Sequence, residues 1–412
     1  MTRSRRIIVA GAGIAGLTAA LAFAAEGFDV EVYERAPRLE ETGAGLQLSP
    51  NATRILATLG VLDTLLPDAV EPAAVVLRDA RTLSEAARVP LDKARERWGA
   101  PYLVAHRADL QSALLSHVLG HGRIRLVTDA EVNHIAVELG EVAVSIRRNG
   151  RSERATGDLL VAADGVWSSI RALNGGTSTF AGDLAWCTTL QVGSPAGEAF
   201  ARIAAANLVT AFMHSSAHLI AYPMRGGRSI NLVALTRNVA LKGIAPAKAD
   251  PRLLADDLRG TASAIARLPH EAGPWTLWPL HTADAASWTS GGRLALIGDA
   301  AHAMTPFAAQ GAAMAIEDAA VLAKLVASMP DDLPKALERY EALRRPRVAK
   351  VARRGAFNRF TWHASGPIAL ARNFVLKVLP SERLASDLDW LYGWSVPDAA
   401  QERWDPQPHH IS

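Results

Sequence analysis

Residues 7–34, IIVAGAGIAGLTAALAFAAEGFDVEVYE, contain the pattern that decides the fold. The apolar run 7–10 predicts a strand, the alanine-rich segment 17–25 predicts a helix, and residues 30–33 predict the next parallel strand. Glycines fill the turn between the first strand and the helix, and Glu34 follows the second strand. The stretch therefore predicts a βαβ unit at the start of an α/β domain.

The turn itself is GAGIAG, residues 11–16. Glycines at this spacing allow a tight turn and let the backbone approach a pyrophosphate, while the amides at the start of the helix face that anion. A carboxylate at the end of the second strand accepts hydrogen bonds from a ribose. The expected binding residues are Gly11, Gly13, Ala15, Gly16 and Glu34. The pattern fits NAD and FAD alike, and the alternative is that the glycines only let a helix pack on a strand.

A second motif lies in LLVAADGVWSSIR, residues 159–171, where an aspartate–glycine turn follows an apolar strand. Asp164 and Arg171 are spaced to place polar groups beside a second stretch of pyrophosphate. An ordinary strand-to-helix turn with a capping serine explains the same residues.

The third and most specific motif is ALIGDAAHAMTPFAAQGAAMAIEDA, residues 295–319. Here Gly298 and Asp299 end a strand, so that the carboxylate is placed to bind a ribityl hydroxyl, and Pro306 shapes a wall beside a flavin ring. Gly311 and Ala312 begin a helix whose positive end stabilises negative charge on a reduced flavin.

Composition limits the remaining possibilities. A chain of 412 residues with 49% apolar and 21% charged residues is globular and long enough for two domains. Its 44 basic and 41 acidic residues give a net charge of +3, which offers no footprint for nucleic acid. The single cysteine, Cys187, excludes an internal disulfide and a multi-cysteine metal site, and we expect it to be a buried small hydrophobe.

The N-terminus imitates an export signal, because three arginines precede the uncharged run 7–25. The glycines of the turn would weaken an apolar export helix, whereas a nucleotide-binding turn requires them. Together with the reducing compartment that one cysteine suggests, this predicts a soluble cytoplasmic protein with no membrane partner.

The middle of the chain has a different pattern of apolar and polar residues. Alternating segments such as 219–222 and 230–235, separated by a glycine turn, predict an antiparallel sheet. The predicted class is therefore α/β (α+β): a Rossmann-like domain with an inserted antiparallel-sheet domain and C-terminal helices. The predicted divisions are 1–180 and 281–355 for the two parts of the nucleotide-binding domain, 181–280 for the substrate-binding sheet, and 356–412 for the C-terminal helices.

The three motifs, in this order, resemble the class A flavoprotein aromatic hydroxylases, the family of para-hydroxybenzoate hydroxylase. The similarity is greatest to the branch with salicylate, 3-hydroxybenzoate and 6-hydroxynicotinate hydroxylases, and it extends to ETGAGLQLSPNATRIL (41–56), HRADL (106–110), YPMRGG (222–227) and YEALRRPR (340–347). The resemblance implies an FAD enzyme that uses NADH or NADPH as a transient reductant, and we expect a monomer or a homodimer. In that family dioxygen adds at flavin carbon 4a, and the resulting hydroperoxide hydroxylates a small aromatic substrate.

The same resemblance assigns site residues. Arg107, with Glu34 and Arg35, would hold the pyrophosphate and adenosine side of FAD, and Gln111 would assist. Residues 42–51 would line the flavin ring, with Gln47 nearest its reacting face. The nicotinamide cofactor would use the residues of the second motif, Asp164 and Arg171.

Electrophilic hydroxylation requires an electron-rich ring, so a base is expected near the substrate hydroxyl. His218 and Tyr222 lie four residues apart in a predicted strand and hence share one face. The resemblance implies that His218 activates the hydroxyl and that Tyr222 orients it. The alternative is a histidine and a tyrosine that are simply packed in a sheet. His214 would lie on the same face if the strand is regular, and it is the weaker candidate.

Three other functions compete with this one. A flavin-dependent halogenase shares the first motif but needs a WxWxIP element, which the string at residues 275–279 does not match. A Rossmann dehydrogenase that uses NAD alone leaves the second and third motifs unexplained. A flavin-binding redox sensor without turnover is the non-enzymatic alternative.

Overall fold

The computed structural model describes residues 5–39, 45–138, 140–237, 247–248 and 250–396. Its strands are β1 (Arg6–Ala10), β2 (Asp29–Tyr33), β3 (Gly45–Leu48), β4 (Ala74–Asp79), β5 (Glu85–Pro90), β6 (Leu103–His106), β7 (Ile124–Val127), β8 (Glu131–Glu138), β9 (Glu141–Arg148), β10 (Arg151–Gly157), β11 (Leu159–Ala162), β12 (Thr177–Gln191), β13 (Leu208–Met213), β14 (Ala217–Met224), β15 (Ser229–Arg237), β16 (Ala247–Lys248), β17 (Thr276–Asp284), β18 (Thr289–Ser290) and β19 (Leu294–Leu296).

The helices are α1 (Ile14–Ala25), α2 (Pro50–Thr58), α3 (Leu62–Leu65), α4 (Ala94–Trp98), α5 (Arg107–Gly120), α6 (Ser169–Leu173), α7 (Pro195–Ala201), α8 (Pro251–Asp257), α9 (Ser263–Ala266), α10 (Leu268–Glu271), α11 (Asp299–His302), α12 (Gly311–Ser328), α13 (Leu333–Trp362), α14 (Gly366–Val378), α15 (Ser381–Ser386) and α16 (Asp389–Tyr392). A 3-10 helix spans Pro306–Ala308.

The predicted βαβ unit is present and forms part of a six-stranded sheet. The order is β18-β19-β11-β1-β2-β7, and β1 pairs in parallel with both β2 and β11. Helix α1 begins at Ile14, inside the glycine motif, because Gly13 takes the N-cap position. Since β19, β11, β1 and β2 are parallel, their carboxyl ends meet at one edge of the sheet. All three predicted motifs therefore lie along that edge.

A second sheet has eight strands in the order β16-β17-β12-β15-β14-β13-β4-β5. It is antiparallel except where β13 runs parallel to β4. The prediction placed this sheet in residues 181–280, but β4 and β5 come from residues 74–90 and β12 begins at Thr177. No turn signal revealed that pairing, because strands from distant parts of the chain meet only in the folded protein. With this sheet and the C-terminal helices present, the structure confirms the predicted fold class.

Strand β14 is buried on both faces. Ile220, Tyr222 and Met224 belong to the core shared with the nucleotide-binding domain, whereas Leu219 and Ala221 belong to a separate core on the other side. Because side chains on a strand point alternately to its two faces, His218 lies on the same face as Ile220 and Tyr222, toward the nucleotide-binding domain. The sheet thus presents the predicted site residues to the edge where the three motifs meet.

The C-terminal part contains helices α13 to α16, and α13 begins at Leu333, ahead of the predicted segment 356–412. The rest of the predicted segment, residues 397–412, lies outside the described residues. In the part of the chain that the structure describes, no helix combines the length and the apolar character needed to cross a membrane.

Candidate active site

The glycine turn after β1 is shaped by backbone contacts that exclude larger residues. Gly11 has a φ of +102°, and a Cβ atom on it would lie 2.5 Å from the carbonyl oxygen of Ala163. A Cβ atom on Gly16 would overlap the carbonyl oxygen of Gly11. In contrast, a Cβ atom on Gly13 would meet no atom of the described residues within 4 Å. The turn is therefore packed on one side and open above Gly13, which is the space that a pyrophosphate requires.

Polar side chains surround this turn. One carboxylate oxygen of Glu34 accepts a hydrogen bond from the amide of Ala12 at 2.7 Å, and the amide of Gln111 donates to the Ala12 carbonyl at 3.4 Å. Arg107 precedes Gln111 by four residues in α5, so both lie on one side of that helix. Arg35 follows Glu34 with an exposed side chain. The structure thus brings the predicted residues of the pyrophosphate and adenosine side to one place.

The loop after β19 lies between helices α1 and α12. Gly298 has a φ of +57°, and a Cβ atom on it would lie 3.0 Å from the Cβ of Ala315 and 3.1 Å from that of Ala15. Only glycine fits this position without displacing one of the two helices. Asp299 follows at the start of α11 with an exposed side chain, as a residue that binds a ribityl hydroxyl must.

The N-terminus of α12 is open toward the same region. Pro306 begins the 3-10 helix that leads into it, and Gly311 and Ala312 are half-buried. Gln310, at the N-cap, makes no side-chain hydrogen bond to the helix, and the first turn contains no acidic residue. The first amides of α12 and its positive dipole are therefore available to an electron-rich ring edge.

A buried ionic cluster, which the sequence analysis did not identify, holds this helix end in place. Glu317 and Asp318 of α12 and Arg344 of α13 are almost completely inaccessible to solvent. Arg344 donates to Glu317 at 2.6 Å and to Asp318 at 2.7 Å, and Arg347 donates twice to Glu317 at 2.6 Å. The only signal in the sequence was the adjacency of two acids in the third motif and of several arginines in YEALRRPR.

The same cluster reaches the cofactor loops. Asp318 accepts a hydrogen bond from the amide of Gly298 at 2.9 Å and contacts His302 Nε2 at 2.5 Å. Asn51, at the start of α2, donates to Glu317 at 2.6 Å. The cluster thus joins the third motif, the segment 45–51 and helix α13.

Arg171 of the second motif was predicted to lie beside a pyrophosphate, and in the structure it binds backbone groups. This side chain is 2% exposed, and its guanidinium donates to the backbone carbonyls of Val166 at 2.6 Å and Ala300 at 2.9 Å. These carbonyls belong to the turn after β11 and to α11, so Arg171 joins the two elements, and its nicotinamide role stays a prediction. Ser168 caps α6, as expected for the alternative of an ordinary strand-to-helix turn with a capping serine. Among the described residues, Asp164 Oδ1 is buried without a hydrogen-bond partner, and its nicotinamide role stays a prediction.

His218 and Tyr222 occupy the inner face of β14, as their spacing predicts. His218 is 1% exposed; its Nδ1 lies 3.1 Å from Nε2 of His363, and its Nε2 has no hydrogen-bond partner within the described part of the chain. Burial, followed by the neighbouring His363, lowers the pKa of His218 well below its usual value. Burial also raises the pKa of Tyr222 well above 10. At neutral pH the pair thus consists of an uncharged imidazole and a protonated phenol.

His214 does not lie on this face. It is in the turn between β13 and β14, where its Nδ1 contacts the hydroxyl of Ser216 at 2.9 Å. The strand begins only at Ala217, so the regularity that the weaker candidate required is absent.

Next to Tyr222, strand β15 contributes Asn231, its direct cross-strand neighbour. The Oδ1 atom of Asn231 accepts from the amide of Gly45 at 2.8 Å, whereas its Nδ2 is buried without a partner among the described residues. A Cβ atom on Gly45 would lie 2.5 Å from the Tyr222 ring, so this glycine permits β3 to approach the sheet. Asn231 is thus a donor that the sequence analysis missed, since it alternates with apolar residues as a core position would.

Gln47 lies on β3, half-buried, and its Oε1 accepts a hydrogen bond from Tyr102 at 2.6 Å. Of the predicted ring-lining segment, residues 42–44 lie outside the described residues. Cys187 is half-buried on the inner face of β12, and burial raises its thiol pKa to about 12. It packs in an apolar cluster with Phe307, which supports the expectation of an inert thiol.

These residues fit FAD. The open space above Gly13 suits the pyrophosphate, exposed Asp299 suits the ribityl chain, and the uncapped end of α12 suits the flavin ring. The buried donor of Asn231 and acceptor of His218, which have no partner among the described residues, lie on the sheet that faces this cradle, as expected where a ligand completes the hydrogen bonding.

Comparison with known proteins agrees with this geometry. The family described as FAD binding domain matches residues 5–355. The chain is 33% identical over 393 residues to 3-hydroxybenzoate 6-hydroxylase of Polaromonas naphthalenivorans, covering 95% of this chain and 96% of the relative. It is 35% identical to 3-hydroxybenzoate 6-hydroxylase 1 of Aquipseudomonas alcaligenes, covering 94% and 97%.

Among solved structures, HpxO of Klebsiella pneumoniae with FAD and uric acid is similar with a TM-score of 0.79 and 27% identity. The match covers 93% of this chain and 95% of that one. These relatives support the hydroxylase interpretation and lend no support to the halogenase, dehydrogenase or sensor alternatives.

Proposed function

This chain belongs to the FAD binding domain family and is an FAD-dependent aromatic monooxygenase, and from that premise we propose that its substrate is a hydroxylated aromatic carboxylate of the hydroxybenzoate or hydroxypyridine type. The observation that carries the proposal is the buried Nε2 of His218, which has no hydrogen-bond partner in the described part of the chain and lies on the sheet face toward the cofactor cradle. Such an acceptor fits the hydroxyl group of a substrate ring.

His218 acts as the base. Its lowered pKa keeps the ring uncharged at neutral pH, so Nε2 is ready to take the proton of the substrate hydroxyl. Loss of that proton enriches the ring in electrons, which electrophilic hydroxylation requires. Tyr222, kept protonated by burial, donates a hydrogen bond that orients the substrate, and the Asn231 amide supplies a further donor beside it.

When bound and reduced by NADH or NADPH, FAD would supply the activation of dioxygen, of which one oxygen atom enters the ring and the other leaves as water. Glu34, Arg107 and Gln111 hold its pyrophosphate and adenosine side, and the N-terminus of α12 stabilises charge on its ring. Asp164, in the second motif, is the proposed contact for the nicotinamide. A cytoplasmic location and a monomeric or homodimeric state are parts of the same proposal.

The test of the substrate class is a screen of hydroxybenzoates and hydroxypyridine carboxylates with the FAD-loaded protein. We expect at least one compound to stimulate NADH or NADPH consumption and to yield a product heavier by one oxygen atom. Benzoate and nicotinate without the ring hydroxyl serve as matched controls and should give no hydroxylated product. Hydroxylation of these controls at equal rates would contradict the role of the substrate hydroxyl.

His218→Ala is expected to lower hydroxylation by about 100-fold or more while FAD remains bound, since general-base catalysis contributes about 10²–10⁴-fold. The matched control is His214→Ala, which removes a histidine of the same chain segment that lies outside the inner face. Product formation and flavin content are measured for both variants. Full coupled activity of His218→Ala would remove this residue from the mechanism.

A further inference from the structure

We propose that His363 is a positioning residue that fixes the tautomer of His218, so that the proton-accepting nitrogen faces the substrate. The proposal deepens the role of His218 and rests on it. His363 is the C-cap residue of α13 and lies beyond residues 5–355, the part of the chain that matches the family.

The direction of each hydrogen bond follows from one carbonyl group. Nδ1 of His363 lies 3.0 Å from the backbone oxygen of Arg359, and a carbonyl oxygen only accepts. Nδ1 of His363 therefore carries the hydrogen atom, and in a neutral ring its Nε2 is then an acceptor. That Nε2 lies 3.1 Å from Nδ1 of His218, so Nδ1 of His218 must be the donor. The remaining nitrogen of His218, Nε2, is left with a free lone pair.

The chain of bonds requires both rings to be uncharged, and the surroundings favour that state. Burial lowers the pKa of His218 well below its usual value. Burial also lowers the pKa of His363, and it outweighs the carbonyls of Arg359 and Leu235 and the charge of Asp183, which raise it. The His218 ring contacts Trp362 and Phe307 at centroid distances of 5.0 and 5.2 Å. These apolar neighbours exclude the water molecules that would otherwise compete for the ring nitrogens.

The end of α13 is itself anchored to the sheet. Arg359 Nη2 donates to Asp183 of β12 at 2.7 Å, and Asp183 is 3% exposed. The charged groups that act on His363 are Asp183 and Arg359, and Arg237 of β15 acts in turn on Asp183. Because the Arg359 side chain holds the helix end, the carbonyl of the same residue is fixed as the start of the bond chain.

The consequence is a directed proton transfer. The substrate O–H bond breaks, its proton goes to Nε2 of His218, and the electron pair stays on the substrate oxygen. The imidazolium that forms keeps its Nδ1–H bond to His363, which spreads the positive charge toward the Arg359 carbonyl. After turnover the proton leaves to solvent.

The first test reads the tautomer directly. Ring nitrogens of selectively ¹⁵N-histidine-labelled, FAD-loaded protein are observed by NMR, without turnover. We expect His218 to show a protonated Nδ1 and an unprotonated Nε2 in the native chain, and to lose that preference in His363→Leu. A protonated Nε2 in the native chain would overturn the proposal whether or not His218 proves to be the base.

The second test compares two variants and two substrates. His363→Leu removes the acceptor for His218 Nδ1, whereas His363→Gln retains an acceptor oxygen. We expect His363→Leu to lower kcat at least tenfold with an ordinary hydroxylated substrate, and His363→Gln to recover most of the loss. With a ring-halogenated analogue whose phenol is more acidic, the defect of His363→Leu should shrink, because proton removal is then easier.

The outcomes separate the possible explanations. An equal defect with both substrates, or no recovery in His363→Gln, would assign His363 a purely structural role. Native activity of His363→Leu would also overturn the proposal. If His218→Ala keeps full activity while the tautomer is as expected, the proposed function of His218 fails and the positioning by His363 stands as a structural fact without catalytic use.

Discussion

Arg344→Met is expected to lower the free energy of unfolding by about 3–5 kcal/mol, since breaking a buried ion pair leaves uncompensated charge. Arg344 is 1% exposed, and its two carboxylate partners, Glu317 and Asp318, are 0% exposed. Arg347 still pairs with Glu317 in the variant, but Asp318 keeps only His302 and a backbone amide. The change is measured as chemical denaturation of the apoprotein.

The matched control is Arg345→Met. The neighbouring Arg345 is 41% exposed, pairs with Glu341 on the same helix and donates to the carbonyls of Ala285 and Ala286. Because water can reach these groups, its loss should cost less than the loss of the buried Arg344. Equal destabilisation by the two variants would show that the buried cluster contributes nothing beyond a surface pair.

Arg344→Met should also lower the stability of the protein at acidic pH. Burial alone would raise the pKa of Asp318, but the charges and hydrogen bonds of His302 and Arg344 outweigh it and hold the pKa at about 2. A folded-state pKa below the ordinary 3.8 means that Asp318 stabilises the protein above that pH and loses this contribution as the pH falls toward 2. Without Arg344 the pKa rises, so acid unfolding should begin at a higher pH.

Gly16→Ala is expected to weaken FAD binding, raising the Kd by about 100-fold or more. Its Cβ atom would overlap the carbonyl oxygen of Gly11, a backbone group that cannot rotate away. Either α1 or the turn must shift, and such overpacking costs about 1–3 kcal/mol or more. Because the first amides of α1 face the pyrophosphate, the shift removes them from the ligand.

Gly13→Ala provides a sharp comparison. Its φ of −72° suits alanine, and the new Cβ would meet no atom within 4 Å in the part of the chain that the structure describes, so the apoprotein should unfold at the native temperature. FAD binding should still weaken, because the methyl group enters the space assigned to the pyrophosphate. Flavin titration and thermal unfolding of the two apoproteins separate these effects. Native FAD affinity of Gly13→Ala would place the pyrophosphate elsewhere.

The motifs predicted much of the cofactor cradle, since each is local. The glycine turn, the loop at Gly298 and the start of α12 are set by residues close together in sequence, and parallel strands bring them to one edge. Local reasoning could not show the partners of Arg171, because the carbonyls of Val166 and Ala300 meet its guanidinium only in the folded chain.

The sequence by itself determined the βαβ start, the order of the three motifs, and the shared face of His218 and Tyr222, because strand and helix periodicities follow from local backbone geometry. Only the tertiary structure decided that β4 and β5 join the inserted sheet, that Arg344 neutralises Glu317 and Asp318, and that His363 contacts His218. These contacts join residues up to 145 positions apart in the sequence. They form because apolar contact and charge pairing stabilise them in the folded core, and a local sequence pattern does not predict them.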